Sequence, residues 1–119
     1  MTGGLSVDCI FCKIIAGEIP SKKVYEDEHV LAFEDISPRA PVHILLIPKE
    51  HIVSAAEING ENSAYVAKIF EVIPKIAEQM GVKESGFRVV TNCGASAGQS
   101  VMHLHFHLLG GRSFSWPPG

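Results

Sequence analysis

Charge of one sign is scarce in this sequence. Ten Lys and Arg stand against 13 Asp and Glu, a formal net charge of −3 over 119 residues. Without a basic excess the chain lacks the electrostatic footprint by which proteins hold nucleic-acid polymers, so neither DNA nor RNA is expected as a partner. Long apolar runs are missing too. The stretch around Ile44-Leu-Leu-Ile47 extends over about seven residues, where a bilayer-spanning helix needs about 20. No basic segment followed by an apolar one opens the chain, so neither a secretory leader nor a membrane partner is expected. Cysteine is limited to Cys9, Cys12 and Cys93, an odd and sparse set that does not read as a disulfide-stapled secreted module. The expectation is a soluble protein of a reducing, cytoplasmic compartment. Internal repeats, low-complexity tracts and long charge runs are absent as well.

What is present suits a globular chain. Apolar residues make up 46%, enough for a core in a chain of one-domain length. One domain over residues 1–119 is expected, with residues 1–7 a flexible start and 110–119 a C-terminal tail. A short helix is read over 8–15, capped by Asp8 and stopped by Gly17. Strands are read over 22–25 and 30–34, with Asp27-Glu28 in the turn between them. Pro38 and Pro41 make 37–41 a loop, since neither suits a central strand. A strand follows over 42–47. Val66, Ile69, Phe70, Ile73, Ile76, Ala77 and Met80 recur at helical spacing and predict one long helix over 61–80, ended by Gly81 and kinked or broken at Pro74. A strand over 87–91, a Gly/Ser/Ala-rich loop over 92–100 and a final strand over 101–109 complete the chain. Strands outnumber helices and connections are short, which predicts an α+β fold with a mainly antiparallel sheet.

The informative segment is His103-Leu-His-Phe-His107-Leu-Leu, which holds three of the six histidines. Alternate side chains of a strand share a face, so His103, His105 and His107 would line one face over roughly 13 Å, with Leu104, Phe106 and Leu108 turned into a core. His43, in the strand over 42–47, adds a fourth imidazole if that strand lies nearby. Imidazole serves as base, acid, nucleophile or metal ligand near neutral pH. The pattern is therefore open to a metal site, to nucleophilic or acid–base catalysis, or to a merely solvated strand. The preceding loop, Asn92-Cys-Gly-Ala-Ser-Ala-Gly-Gln-Ser100, offers backbone N–H groups and small side chains to a phosphate. It is not a P-loop, and no Gly-x-Gly-x-x-Gly occurs.

His103–Leu109 resembles the signature of the histidine triad family of nucleotide hydrolases and transferases at every position. The likeness extends over nearly the whole chain: Ile10-Phe-Cys-Lys-Ile-Ile-Ala-Gly-Glu-Ile-Pro20, Ala32-Phe-Glu-Asp-Ile-Ser-Pro38, Pro41-Val-His-Ile-Leu-Leu-Ile-Pro48 and Gly98-Gln-Ser100. The endings Leu109-Gly-Gly-Arg112 and Trp116-Pro-Pro-Gly119 are similar to the Hint-type purine nucleoside phosphoramidase branch. The resemblance implies an antiparallel sheet with one long and one short helix, two protomers joining sheets in a homodimer, and Trp116 in a tail that reaches toward the partner's site. It implies hydrolysis of the P–N bond of purine nucleoside 5′-phosphoramidates, releasing AMP or GMP, without an organic cofactor. His105 would be the nucleophile that forms a covalent nucleotidyl-histidine. His107 would contact the phosphate, and His43 would support the histidine network and the nucleophile's tautomer. Gly98, Gln99 and Ser100 would hold phosphate oxygens and the leaving group, with Ser100 beside the departing amine. Asn92 would bond on the ribose–phosphate side, and Asp35 would accept from the ribose hydroxyls. Phe11, Ile14, Phe33 and Ile36 match the apolar slot for the purine. Read without the resemblance, Asp35 caps a loop and these apolar residues are core.

Cys9 and Cys12, three apart on a helix, share a face. Cys-x-x-Cys is open to zinc, to a redox dithiol or to no role, and zinc needs two further ligands. Bacterial triad proteins with this Cys-x-x-Cys look like zinc binders, and the resemblance supplies His51 and the first triad residue, His103, as the remaining ligands of a structural ion dispensable for chemistry. Cys93 receives no role, and His29 is read as surface. Rival expectations are dinucleoside polyphosphate hydrolysis, a nucleotide-binding regulator with vestigial catalysis, and a zinc protein whose histidines serve only metal.

Overall fold

Val30, Ala32, Ile44 and Leu46 face one way and Leu31, Phe33, Leu45 and Ile47 the other, because successive strand residues alternate, and all eight are buried. Both faces of the sheet are therefore covered. The computed structural model describes residues 8–119; the flexible start expected over residues 1–7 lies outside them. The elements are helix α1 (Ile10–Ile15), strands β1 (Lys23–Glu26), β2 (Val30–Glu34) and β3 (Val42–Pro48), helix α2 (Ser63–Gln79), and strands β4 (Phe87–Val90) and β5 (Phe106–Gly110). They form one antiparallel sheet in the order β1-β2-β3-β5-β4. The expected α+β architecture is the one observed, with one long and one short helix.

The long helix closes one face of the sheet. Its Ile69, Val72, Ile73, Ile76 and Ala77 pack with Ile44, Leu46, Phe106 and Leu108. On the other face α1 packs Phe11, Cys12 and Ile14 against Leu31, Phe33, Leu45 and Ile47. This second face carries His43 and His107. Glycines in the left-handed region end both helices as expected, Gly17 at φ +80° and Gly81 at φ +77°. Among the described residues no helix is long and apolar enough to cross a membrane.

Three expectations are corrected. The cap of α1 is Cys9, whose Sγ accepts from the Cys12 N–H at 3.3 Å, and Asp8 stands exposed. The long helix runs unbroken past Pro74, which faces solvent. The final strand starts at Phe106, not at residue 101, because its ladder with β3 begins at the pair Leu46–Phe106. His29 lies at the surface as read, its side chain 41% exposed and its ring 6.0 Å from the Tyr65 ring. Two 3-10 turns, Ala55–Glu57 and Ala95–Ala97, lie outside the predicted elements, the second within the loop read over 92–100.

Candidate functional site

His43 and His107 meet because of sheet register. Leu45 lies opposite His107, so His43, two residues earlier in β3, is its diagonal neighbour on the face covered by α1. His43 Nε2 lies 2.9 Å from His107 Nδ1. The backbone N–H of Arg39 donates to His43 Nδ1 at 3.0 Å, so that nitrogen carries the lone pair and Nε2 the proton. His43 then donates to His107 Nδ1, which leaves the proton of a neutral His107 on Nε2. Burial holds both rings neutral. His43 is lowered from its usual pKa, chiefly by desolvation. His107 is lowered to about 4, first by desolvation and then by His105 and His43. The chain of donors therefore ends in an N–H on His107, the polarity an anion requires.

His105 is assigned in the same way. Its Nδ1 lies 2.8 Å from the carbonyl oxygen of His103. A carbonyl only accepts, so Nδ1 carries the proton and Nε2 keeps its lone pair. The ring sits 5.1 Å from that of His107, and the edge-on ring of Phe11 packs 5.2 Å away. Only 4% of His105 is exposed. Thr91 on the far side donates its hydroxyl to the His105 carbonyl at 2.7 Å.

Asp35 belongs to the same corner. One carboxylate oxygen accepts the Ser37 N–H at 2.7 Å, which is the loop cap, and the other lies 3.4 Å from His43 Nε2. Phe11, Ile14 and Phe33 are buried on the α1 face, with Phe11 and Phe33 edge to face at 5.6 Å. Ile36 is different. It is 99% exposed, because the Asp35 cap turns the backbone at Ser37 and swings Ile36 outward. A single chain therefore does not place Ile36 in an apolar slot.

The loop ahead of the triad is more committed than its composition suggests. Gln99 is buried, its amide donating to the carbonyls of Val53 and Val101 at 2.8 and 3.0 Å and accepting from the Gly94 N–H at 2.9 Å. The backbone N–H groups of Gly98 and Gln99 donate to Ala95 and Gly94. Gln99 is thus the staple of the loop. Ser100 is exposed and lines an open cavity of about 440 Å³ with Cys9, His51 and Met102. Asn92 is half-buried. The thiol of Cys93 points to Ser54 Oγ at 3.4 Å.

Cys9, Cys12, His51 and His103 converge beside this corner, their ligand atoms all within 4.8 Å of one another. Cys9 Sγ lies 3.3 Å and Cys12 Sγ 3.5 Å from His103 Nδ1, and Cys12 Sγ lies 3.3 Å from His51 Nδ1. A tetrahedral ion bonded to sulfur at about 2.3 Å and nitrogen at about 2.0 Å sets S and N roughly 3.5 Å apart. The donor set and the spacing both fit zinc. His103 also donates Nε2–H to the Pro48 carbonyl at 3.0 Å, the outer bond that metal-binding imidazoles make. His103 therefore faces the cysteines, whereas His107 meets His43 at the Asp35 corner.

Sequence reasoning missed Arg39, Thr91 and Pro48, all of which act on the histidines. Arg39 and Pro48 do so through backbone groups, and such contacts have no signature in residue type.

A model of the HIT domain matches residues 16–114. The purine nucleoside phosphoramidase of Escherichia coli strain K12 is 46% identical over 108 residues, 91% of each chain. A 14 kDa zinc-binding protein of Zea mays is 51% identical over 112 residues, 92% of this chain and 87% of that one. The solved structure of a HIT family hydrolase from Clostridium thermocellum is 52% identical and superposes with a TM-score of 0.91, covering 92% of this chain and 96% of that chain. With the family model matched over residues 16–114 and a relative 46% identical over 91% of the chain, the chain belongs to the HIT domain family.

Proposed function

We propose that this protein hydrolyses the P–N bond of purine nucleoside 5′-phosphoramidates through a nucleotidyl-histidine on His105. The observation that carries the reading is the bond from His105 Nδ1–H to the His103 carbonyl. It commits the ring to the tautomer whose Nε2 lone pair can attack phosphorus. The identity of the phosphoramidase relative supports the substrate class.

In the first step Nε2 attacks the α-phosphorus, a P–Nε2 bond forms, and the bond to the amine nitrogen breaks. The amine leaves with its electron pair and takes up a proton through the Ser100 hydroxyl, which the attacking water of the second step reprotonates. In the second step water attacks the same phosphorus, P–Nε2 breaks, and the monophosphate leaves with the imidazole restored. Splitting the displacement into two lowers each barrier. His107 Nε2–H stabilises the phosphoryl oxygens, and His43 keeps that proton in place from the Arg39 N–H side. Asp35 accepts from the ribose hydroxyls, and Phe11, Ile14 and Phe33 border the base. Asn92, Gly98 and Gln99 shape the phosphate side, Gln99 by holding the loop. Cys9, Cys12, His51 and His103 hold one zinc ion that ties α1 to the triad segment. The homodimer is part of the same proposal. β1 and β4 are the sheet edges open to a second copy, which would also bring a partner surface over exposed Ile36 and Trp116.

The test is turnover of adenosine 5′-phosphoramidate by the wild type beside His105→Ala. The expected result is loss of turnover by roughly 10³-fold or more with AMP affinity retained. Comparable turnover in both proteins would end the nucleophile assignment. Faster turnover of a diadenosine polyphosphate would move the chain to the other hydrolase reading.

A further inference from the structure

The backbone that carries His103 and His105 lies outside the sheet. Ladder pairing of β5 begins at Phe106, so residues 101–105 take their position from other contacts. Leu104 N–H donates to the Ile52 carbonyl at 2.6 Å, and the Thr91 hydroxyl holds the His105 carbonyl. The Gln99 amide holds the Val101 carbonyl at 3.0 Å, and a further anchor is His103, which is fully buried. It is pinned at Nε2 by the Pro48 carbonyl and at Nδ1 by the sulfurs of Cys9 and Cys12. The carbonyl of this same residue receives the His105 Nδ1–H. Phe11, between the two cysteines on α1, sets its ring edge against both imidazoles, 5.9 Å from His103 and 5.2 Å from His105.

One residue is therefore shared between the thiol–imidazole cluster and the tautomer of His105. Without an ion, His103 Nδ1 has thiol hydrogens to accept, and S–H is a weak donor. With a bound ion, the ring and the carbonyl two bonds beyond its Cα branch are fixed together.

We propose that Cys9, Cys12, His51 and His103, when they hold their metal ion, position His105 for attack by fixing the His103 carbonyl that keeps the proton on Nδ1 and the lone pair on Nε2. The inference rests on His105 as nucleophile and departs from the expectation that the metal is dispensable for chemistry. His103 is on this account a positioning residue. It grips the nucleophile through its backbone and the cluster through its ring, and touches no substrate.

The experiment uses ¹⁵N-labelled full-length protein in three forms: zinc-loaded, chelated, and His51→Gln, which removes a ligand that is not the carrier of the His105 bond. Long-range ¹H–¹⁵N spectra of the imidazoles give the His105 tautomer, calorimetry gives AMP affinity, and single-turnover kinetics with adenosine 5′-phosphoramidate give the first step. The zinc-loaded protein should show His105 as one Nδ1–H tautomer. The chelated and His51→Gln proteins should show mixed tautomers and a first step slower by roughly tenfold or more, with AMP affinity unchanged, and added zinc should restore the chelated protein. A folded metal-free protein with the same tautomer and rate overturns the proposal. So does a parallel loss of AMP affinity and rate, which marks a site that supports the fold alone. If the zinc-loaded protein cleaves no phosphoramidate, the nucleophile reading fails, and the tautomer spectra still decide whether the cluster controls His105.

Discussion

His107 is kept neutral by burial, and that has a consequence for pH. Its pKa falls from 6.5 to about 4, first through desolvation and then through the neighbouring His105 and His43. An unfolded chain takes up the proton near 6.5 and the folded chain only near 4, so between these values the unfolded state binds more protons. The contribution of His107 to stability is complete above pH 6.5 and is lost as the pH falls toward 4. The Tm of the wild type is expected to decline over that window, and more steeply than the Tm of His107→Gln. Equal slopes would show that the imidazole is not held neutral by the fold. At the same scale, the alternation of the triad was legible in the sequence, because Leu104, Phe106 and Leu108 do enter the core under α2. The split of the triad was not legible. His103 turns to the cysteines because they lie on the same covered face, and a spacing of two cannot express which neighbour a ring meets.

Among the elements, α2 shows where a local rule yields to packing. Proline inside a helix removes one N–H and crowds the carbonyl four residues back, yet Ser63–Gln79 is continuous through Pro74. Ile69, Val72, Ile73, Ile76 and Ala77 bury a full face of the helix on the sheet, and Pro74 lies on the solvent side. Pro74→Ala should therefore stabilise the protein by about 1–3 kcal/mol, read as a higher urea midpoint at constant slope. A lower midpoint would mean that the helix uses a bend at Pro74 to fit the sheet. Helix ends were legible through Gly17 and Gly81. The start of β5 was not, because Leu46 is the last residue of β3 that pairs with it. Beyond that pair, the Pro48 carbonyl serves the His103 side chain.

Across the whole molecule, the Gly-Gly-Arg segment joins the sheet, the residues just after α2 and the loop before His43. Gly110 closes β5, paired with Val42 on one side and Phe87 on the other. A Cβ there would meet Val82 at 2.8 Å, and a Cβ on Gly111 would meet Pro41 at 2.9 Å. Arg112 Nε then donates to the Arg39 carbonyl at 2.9 Å, while the N–H of Arg39 fixes His43. Phe114 lies between the guanidinium groups of Arg112 and Arg88, at 4.2 and 5.2 Å, and anchors the tail on β4. Gly110→Ala is expected to cost about 1–3 kcal/mol, as overpacking does, measured as a lower denaturant midpoint. No loss would mean that Val82 can yield freely and that the close approach is not a constraint.

The sequence by itself determined where most strands and helices lie and which face of each strand is apolar, and it marked the triad and Cys-x-x-Cys residues as candidates. Those properties repeat at periods of two and 3.6 along the chain, and the triad and Cys-x-x-Cys patterns are short enough to read in a line. Tertiary structure decided the tautomers, the grouping of His103 with Cys9 from the opposite end of the chain, the outward turn of Ile36 and the commitment of the Gln99 amide to its own loop. Each depends on a partner that register or packing delivers from a distant segment, and a hydrogen bond is settled by the position of its acceptor, which no local pattern records.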